Sequence, residues 1–118
     1  MQLEIAEDNR FLPRREQRRA PRKRAIWQVL GKYANGKTFN VWTIDVSESG
    51  LSLAMPTTTP VGTKAYIKIL AMIGGKKRVI ECVIEIVHEV LSENTFKCGV
   101  KFLKINDTNK KLLSSYAN

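Results

Sequence analysis

The most specific chemistry in this sequence belongs to a run of arginines near the N-terminus. Residues 14–24 read Arg-Arg-Glu-Gln-Arg-Arg-Ala-Pro-Arg-Lys-Arg, and within them Arg18 and Arg22 stand in an R-x-x-x-R spacing. A guanidinium group is flat, permanently charged and fork-shaped. It can therefore bind a phosphate through two parallel hydrogen bonds, pair with the O6/N7 edge of guanine, or stack on a base. The run predicts a site for an anionic ligand, although solvated tails and non-specific polyanion binders have the same composition.

The four-residue spacing occurs in more than one register. Arg14 with Arg18 and Arg15 with Arg19 repeat the separation of Arg18 from Arg22. Spacing alone therefore leaves open which pair of arginines works together.

A second motif, D-x-S-x-x-G, lies at residues 45–50. Asp45 is an acceptor suited to the N1 and N2 donors of guanine, and Ser47, two positions along a strand, is expected on the same face. Gly50 is expected to allow a bend with positive φ and a close approach of a base to the backbone. The alternative is a simple turn, in which Asp and Ser side chains satisfy backbone amides.

The basic charge is concentrated in one short segment. The net charge of the chain is +9, and residues 10–24 contain eight Lys or Arg against one acid, Glu16. Such a block repels itself and has too little apolar surface to fold alone. We expect residues 1–24 to form a flexible basic arm.

Residues 25–118 have the pattern of a single β-rich domain with a terminal helix. Alternation of apolar and polar residues, punctuated by turn residues, predicts six strands at Ala25–Ala34, Lys37–Val46, Leu51–Met55, Lys64–Met72, Lys77–Val90 and Thr95–Leu103. Asn35-Gly36 predicts a type I′ hairpin turn, and residues 56–62 predict a loop. Asn106 or Asp107 is the candidate N-cap of an amphipathic helix that ends near Tyr116.

Six short, evenly spaced strands favour a small antiparallel β-barrel, because closure removes exposed strand edges. In that arrangement the D-x-S-x-x-G motif joins the second strand to the third and is displayed at the rim of the barrel. The arginine arm precedes the first strand, so both motifs can contribute to one site.

The arm, the strand order and D-x-S-x-x-G together resemble the PilZ family of bacterial cyclic di-GMP receptors. The resemblance extends to a late Gly99-Val100-Lys101-Phe102 strand that leads into the helix. It implies a PilZ-like six-stranded barrel, mainly β, and a receptor that changes conformation on binding cyclic di-GMP. It also implies regulation of a downstream partner protein in motility, adhesion, biofilm formation or exopolysaccharide synthesis. The first ten residues are acidic where a signal peptide would be basic, and no apolar segment follows them, so we expect a cytoplasmic location.

By the resemblance, residues of both motifs bind the ligand. Arg18 and Arg22 are expected on phosphate and guanine, with Arg19 beside them and Arg14 and Arg15 as further candidate contacts. Asp45, Ser47 and Gly50 are expected to hold the guanine end. Family members often carry a double arginine, then three variable residues, then the last arginine. Three residues separate Arg18 from Arg22 but only two separate Arg19 from it, which makes Arg18 the better match.

Two other binding functions are compatible with the sequence. A PilZ-type adaptor would act through protein contacts without the nucleotide, but the presence of both motifs weighs against it. A small nucleic-acid-binding barrel would explain the basic arm, but the strands lack the clustered aromatic residues of stacking platforms. Trp27 and Trp42 could stack on a base, yet aromatic residues in strands more often pack in the core or on the surface.

The remaining composition argues against catalysis, metal binding and membrane insertion. With one histidine, His88, and no nucleophile–base spacing, we expect no enzyme, no metal site and no cofactor apart from the ligand. His88 lies in an apolar strand and is interpreted as structural. Cys82 and Cys98 are interpreted as buried hydrophobic residues rather than a disulfide. No apolar run has the length of a membrane span.

Overall fold

The computed structural model describes residues 20–118 of the chain. These residues form seven strands and one helix. The strands are β1 (Lys23–Arg24), β2 (Gln28–Tyr33), β3 (Thr38–Val46), β4 (Gly50–Met55), β5 (Lys64–Ile73), β6 (Lys76–Ser92) and β7 (Thr95–Ile105), and the helix is α1 (Asp107–Ala117). No helix in this part of the chain is both long and apolar enough to cross a membrane.

Six of the strands close into an antiparallel barrel. The order around the barrel is β3-β2-β5-β6-β7-β4, and β4 pairs back with β3 to complete the ring. The short strand β1 pairs with the end of β3, on the side that β2 occupies further along. The predicted six-stranded antiparallel barrel with a C-terminal helix is therefore confirmed.

Period-two alternation decides which residues fill the barrel. On β5, Ala65, Ile67 and Ile69 point inward and are at most 6% exposed, as the sequence predicts, whereas Lys64 and Lys68 are exposed. Burial of a large aliphatic side chain contributes about 1.5–3 kcal/mol, so the inward residues of all six strands supply most of the driving force for closure.

The first hairpin differs from the predicted type I′ turn. Gly36 has a positive φ of 90°, but Asn35 does not have one. The backbone N–H of Gly36 donates to the carbonyl of Tyr33 at 3.0 Å, and that of Lys37 donates to the Asn35 side chain at 2.9 Å. Only one left-handed residue is needed because the connection is longer by one residue than a two-residue turn.

The predicted first strand, Ala25–Ala34, is divided by an irregularity at residues 25–27. Arg24 pairs with Asp45 and Gln28 pairs with Trp42, so the N-terminal strand contains one residue more than its partner across this interval. The buried hydroxyl of Thr43 bridges the irregularity: it accepts from the backbone N–H of Trp27 at 2.8 Å and donates to the carbonyl of Ala25 at 2.6 Å. The polar groups released by the bulge are thereby satisfied.

Helix α1 fastens the N-terminal strand to the barrel. Asn106 is the N-cap, and its side chain accepts from the N–H of Asn109 at 2.7 Å, which confirms one of the two predicted caps. Tyr116 packs on Trp27 with ring centroids 4.9 Å apart and donates to the carbonyl of Arg24 at 3.0 Å. The ammonium of Lys23 lies 4.3 Å from the centroid of the Tyr116 ring. These contacts hold β1 in place beside Arg22.

The two cysteines are buried and free, as the sequence predicts. Cys82 pairs with Ile105 and Cys98 with Glu89, so the two residues are not opposite each other on β6 and β7. Burial raises the pKa of the Cys82 thiol to about 12. Burial, and then the charge of Glu89, raise the pKa of Cys98 to about 11. Both side chains pack as small apolar groups.

Candidate functional site

A β-bulge at Ile44 decides the direction of Asp45. Residues Phe39, Val41 and Thr43 of β3 face the barrel interior, and continued alternation would send Asp45 inward as well. The register with β4 instead shifts between Thr43 and Asp45, which leaves Ile44 as the extra residue. Val46 then faces the core at 0% exposure, and Asp45 faces the rim with a side chain that is 20% exposed.

Arg22 and Asp45 form an ion pair at this rim. The Nε of Arg22 donates to Oδ1 of Asp45 at 3.0 Å, and Nη2 of the same arginine lies 2.9 Å from that oxygen. Nη2 also donates to Oγ of Ser52 at 3.4 Å. The last arginine of the R-x-x-x-R spacing and the first residue of D-x-S-x-x-G are therefore in direct contact.

The second carboxylate oxygen of Asp45 is less engaged. The Nζ of Lys97 lies 3.9 Å from Oδ2. That distance is too long for a hydrogen bond, so Oδ2 keeps acceptor capacity that a ligand donor can use. Asp45 can thus orient Arg22 through one oxygen and receive a hydrogen bond at the other.

Ser47 lies inside the turn rather than beside Asp45. It is fully buried, and its hydroxyl accepts from the backbone N–H groups of Ser49 and Gly50, both at 3.2 Å. Its own N–H donates to the carbonyl of Gly50 at 2.8 Å. Strand β3 ends at Val46, so the expectation that Asp45 and Ser47 share one face is wrong. Ser47 therefore stabilises the turn, because a serine hydroxyl that bonds to nearby backbone groups replaces the hydrogen bonds of strand pairing.

Gly50 is needed for a reason other than the one expected. It is the first residue of β4, and it is not among the glycines with positive φ in residues 20–118, so the expected left-handed bend is wrong. A Cβ at this position would lie 2.0 Å from the carbonyl oxygen of Val100. Glycine at this position therefore permits β4 to approach β7 closely, and this approach places the turn next to β7.

A cavity of about 290 Å³ adjoins the Arg22–Asp45 pair. Its lining residues come from the arm, the turn and the two strands β6 and β7: Arg22, Ser49, Gly50, Val87, His88, Gly99, Val100 and Lys101. The side chain of Lys101 is 55% exposed, and its Nζ lies 3.9 Å from Glu85. The cavity is thus open to solvent and bordered by two cations, an arrangement that suits an anionic ligand.

The remaining arginines of the predicted site, Arg14, Arg15, Arg18 and Arg19, lie outside the described residues. Their assignment stays a prediction from the sequence. Of the predicted residues that the structure describes, Arg22, Asp45 and Gly50 converge on the rim, whereas Ser47 supports the turn from within.

Sequence reasoning missed several residues that belong to the site. Ser52 pairs with Asp45 across the hairpin of β3 and β4. Pairing the residues on either side of the turn in sequence would have predicted that contact. Lys97 and Gly99 reach the site through pairing of β7 with β4, between segments about 45 residues apart in sequence. No local pattern reports such a contact. His88, which the sequence analysis interprets as structural, lines the cavity, because alternation along its strand does not show where the strand is bulged.

Several solved structures share this fold at low sequence identity. The structure of the Bacillus subtilis inhibitor of motility MotI/DgrA superposes with a TM-score of 0.77 at 15% identity, covering 88% of this chain and 50% of that one. The PilZ domain of Escherichia coli YcgR with c-di-GMP gives a TM-score of 0.65 at 19% identity over 86% of this chain and 89% of that one. The K. pneumonia MrkH–c-di-GMP complex gives 0.61 at 18% identity over 85% and 50%.

These likenesses establish the fold. The chain spans half the length of the MotI/DgrA and MrkH chains, and nearly the whole of the isolated YcgR domain. A search of curated proteins finds no match. The sequence model of the family described as PilZ domain matches residues 14–118, a range that includes the arginine run and the whole barrel. On that match, the chain belongs to the PilZ domain family.

Proposed function

We propose that this protein is a receptor for cyclic di-GMP that regulates a separate partner protein. The observation that carries the proposal is the contact between Arg22 and Asp45 at the mouth of a 290 Å³ cavity. Two motifs that are 23 residues apart in sequence meet there, and each supplies a group suited to a different part of a guanine nucleotide. Two of the similar structures are described as complexes with c-di-GMP.

The ligand presents two phosphates and two guanines in a compact, doubly negative ring. Arg22 is oriented by Asp45 and Ser52, so less side-chain entropy is lost when it binds a phosphate or a guanine edge. Oδ2 of Asp45 is available for a guanine N1 or N2 donor. Binding through the Nη1 edge of Arg22 would leave the ion pair intact.

The other arginines complete the proposed clamp. Arg18 and Arg19, with Arg14 and Arg15 as further contacts, would bring additional positive charge over the ligand from the segment that leads into Arg22. Because β1 is held by Tyr116, that segment has a fixed end beside the cavity. Ordering of the arm around the ligand would change the surface next to β1 and β3, and that change is the proposed signal to the partner.

The downstream partner and the process that it controls are proposed only as general classes. One similar structure is described as an inhibitor of motility, which supports a role in motility, and adhesion, biofilm formation or exopolysaccharide synthesis are alternatives within the same class of output. We propose binding rather than catalysis, because the charged groups gathered at the cavity are the cations Arg22 and Lys101 and a carboxylate, Asp45, that is already paired with arginine.

Calorimetric titration tests the receptor function. We expect saturable binding of cyclic di-GMP and much weaker binding of GTP and linear pGpG, because only the cyclic ligand presents two phosphates and two bases in one compact shape. Equal binding of all three nucleotides, with a steep dependence on salt, would instead indicate a non-specific polyanion arm. Absence of binding would favour an adaptor that acts without the nucleotide.

A further inference from the structure

The outward side of β5 carries large apolar residues where a solvated strand normally carries polar ones. Alternate residues of β5 point away from the core, and three of them, Tyr66, Leu70 and Met72, are exposed. The outward positions of an antiparallel barrel are usually polar, as they are at Lys64 and Lys68 of the same strand. Strand β5 therefore presents apolar side chains to solvent as well as to the core.

Cross-strand pairing extends this apolar surface over four strands. Leu70 lies opposite Val79 on β6 and opposite Gln28 on β2. Gln28 lies opposite Trp42 on β3. Trp42 is 53% exposed and Val79 is 57% exposed. Because opposed residues on one side of a sheet have Cβ atoms about 4.5–5.5 Å apart, the row from Trp42 to Val79 forms a continuous surface.

The outer apolar face, as we call this surface, has six apolar members: Leu30, Trp42, Tyr66, Leu70, Met72 and Val79. Single exposed apolar residues are ordinary on soluble proteins, but a contiguous group typically marks a surface that contacts another molecule. In the ring of six strands β5 is three strands from β4 in either direction, and none of the six residues lines the cavity beside Arg22. The face is therefore separate from the proposed nucleotide site.

Two cavities shape the end of the face at Tyr66. They measure about 330 Å³ and 380 Å³, and Tyr66 and Val83 belong to the lining of both. The first extends toward β2, where it includes Lys32, and the second extends toward β7, where it includes Lys104. Neighbouring hollows beside an aromatic ring suit successive side chains of a docked segment.

The strands that bear the face carry mostly positive charge. In β2, β5 and residues 76–83 of β6, Glu81 is the one acid, and the cations are Lys32, Lys64, Lys68, Lys76, Lys77 and Arg78. Glu81 accepts a hydrogen bond from the hydroxyl of Tyr66. Within residues 20–118, the ion pairs involve Asp45 and Glu85 and leave all six cations without an acidic partner. The apolar surface is thus bordered by cations that an acidic partner can approach.

We propose that the outer apolar face is the docking surface for an acidic segment of a partner protein that also carries apolar side chains. The apolar side chains of the segment pack on Trp42, Leu70 and Val79, and its carboxylates meet the surrounding cations. The proposal deepens the partner part of the proposed function and rests on it only for the existence of a separate partner.

The charges and the position of the face disfavour two other occupants. In a twofold dimer the same cations of both copies would lie against each other, which opposes association. An anionic membrane fits poorly because the apolar residues stand in mid-strand among polar ones. Gln28 donates to the side chain of Asn40 at 3.0 Å, and both groups would have to enter the lipid with Trp42.

A display library of short random peptides tests the surface and the chemistry of its partner together. Peptides are selected on wild type and compared on the variant Trp42→Thr/Leu70→Thr/Val79→Thr, in which threonine keeps a strand-forming residue at each exposed position. Val90→Thr, which alters an exposed residue of β6 outside the face, is the matched control. Trp42→Thr alone replaces the triple variant if thermal unfolding shows that the triple variant is not folded.

We expect the enriched peptides to combine Asp or Glu with large apolar residues. A synthetic peptide of an enriched sequence, followed by fluorescence anisotropy, should bind the triple variant about 10- to 100-fold more weakly than wild type, the range for loss of central interface residues. Val90→Thr should bind like wild type.

The charge requirement is measured with a second pair of variants. Lys32→Glu/Lys77→Glu should weaken binding of the same peptide about tenfold at low salt, and less at high salt because screening removes the attraction. Lys110→Glu/Lys111→Glu, which makes the same change of net charge on exposed residues of α1, should leave binding unchanged.

Three results would overturn the docking surface. The first is the absence of any peptide that prefers wild type to the triple variant, or enrichment of neutral or basic peptides. The second is a wild-type dimer that the triple variant dissociates in analytical ultracentrifugation. The third is binding of wild type to vesicles of phosphatidylglycerol and phosphatidylcholine that the triple variant loses.

The docking surface and the receptor function fail separately. Calorimetric titration should show that the triple variant binds cyclic di-GMP like wild type, because the face lies outside the cavity. If wild type binds no cyclic di-GMP but selects acidic peptides on this face, the receptor function falls and the docking surface stands. If it binds the nucleotide but selects no such peptide, the reverse holds.

Discussion

Arg22 and Asp45 meet through a single carboxylate oxygen: Nε and Nη2 of the arginine lie 3.0 Å and 2.9 Å from Oδ1. Exposed ion pairs contribute only about 0–1 kcal/mol to stability, so this contact matters mainly for the direction of the guanidinium. Ser52 accepts a hydrogen bond from the same Nη2, and Oδ2 of Asp45 lies 3.9 Å from Nζ of Lys97. Both Arg22 and Asp45 can therefore still form hydrogen bonds with a ligand.

Replacement of Arg22 tests the arginine register. Arg22→Ala should weaken cyclic di-GMP binding by about 10- to 100-fold, as expected for loss of a charged hydrogen-bonding group, and Arg18→Ala should have an effect of similar size. Stability should change by less than about 1 kcal/mol. Arg78→Ala, which removes an exposed arginine of β6 away from the cavity, is the matched control in calorimetric titration. Unchanged affinity in Arg22→Ala would refute the clamp.

Asp45→Asn should separate the two roles of the carboxylate. The substitution keeps the shape but removes the charge that orients Arg22, so we expect about a tenfold loss of affinity with little change in unfolding free energy. Lys97→Ala, which removes the cation near Oδ2, should have a smaller effect. A Lys97→Ala variant that binds more weakly than Asp45→Asn would show that the lysine, rather than the aspartate, is the principal contact.

Ser47→Ala should mainly lower the stability of the folded protein. The buried hydroxyl accepts from two backbone amides, and its removal should lower the free energy of unfolding by about 1–3 kcal/mol in urea denaturation. Ser49→Ala, which alters a more exposed hydroxyl of the same turn, should cost less. A Ser47→Ala variant of normal stability that no longer binds nucleotide would show that the hydroxyl contacts the ligand after all.

Gly50→Ala should destabilise the barrel by about 3 kcal/mol or more, because the added Cβ would lie 2.0 Å from the Val100 carbonyl and the β4–β7 pairing would have to open. Gly36→Ala is the comparison: no atom lies within 4 Å of its Cβ position, but its φ of 90° should cost about 1–2 kcal/mol. Thermal or urea unfolding should rank the two variants in that order, and the reverse ranking would contradict the packing argument.

The cysteines should be unreactive in the folded protein. Since the pKa of Cys82 is raised to about 12 and that of Cys98 to about 11, almost no thiolate is present at pH 8, and burial restricts access as well. A disulfide-exchange reagent should label both thiols quickly in denaturant and slowly in buffer. Rapid labelling of the native protein at pH 8 would indicate that β6 and β7 separate readily.

Local patterns were enough to predict the architecture. Alternating apolar residues located all six barrel strands to within a few residues, because side chains that point to opposite faces every second residue reveal which face is buried. Residue type restricted the N-cap to Asn106 or Asp107, and the structure places it at Asn106. The resemblance to the family followed from the arginine run, D-x-S-x-x-G and the order of the strands. The hairpin at Gly36 was located correctly, but its turn type was not, because a one-residue difference in loop length changes which residues need positive φ.

The sequence by itself thus determined the strands, the family and the residue types of the site, since those are encoded in periodicity and in short motifs. Only the tertiary structure decided which way Asp45 and His88 point, because each follows a bulge that reverses the alternation, and a bulge appears only when two strands are placed in register. Pairing of β4 with β7 likewise decided that Gly50 is required by the Val100 carbonyl, and that Gly99 and Lys101 stand across the cavity from Arg22. Contacts between distant segments depend on the register in which the strands of the closed barrel pair, which no local sequence pattern specifies.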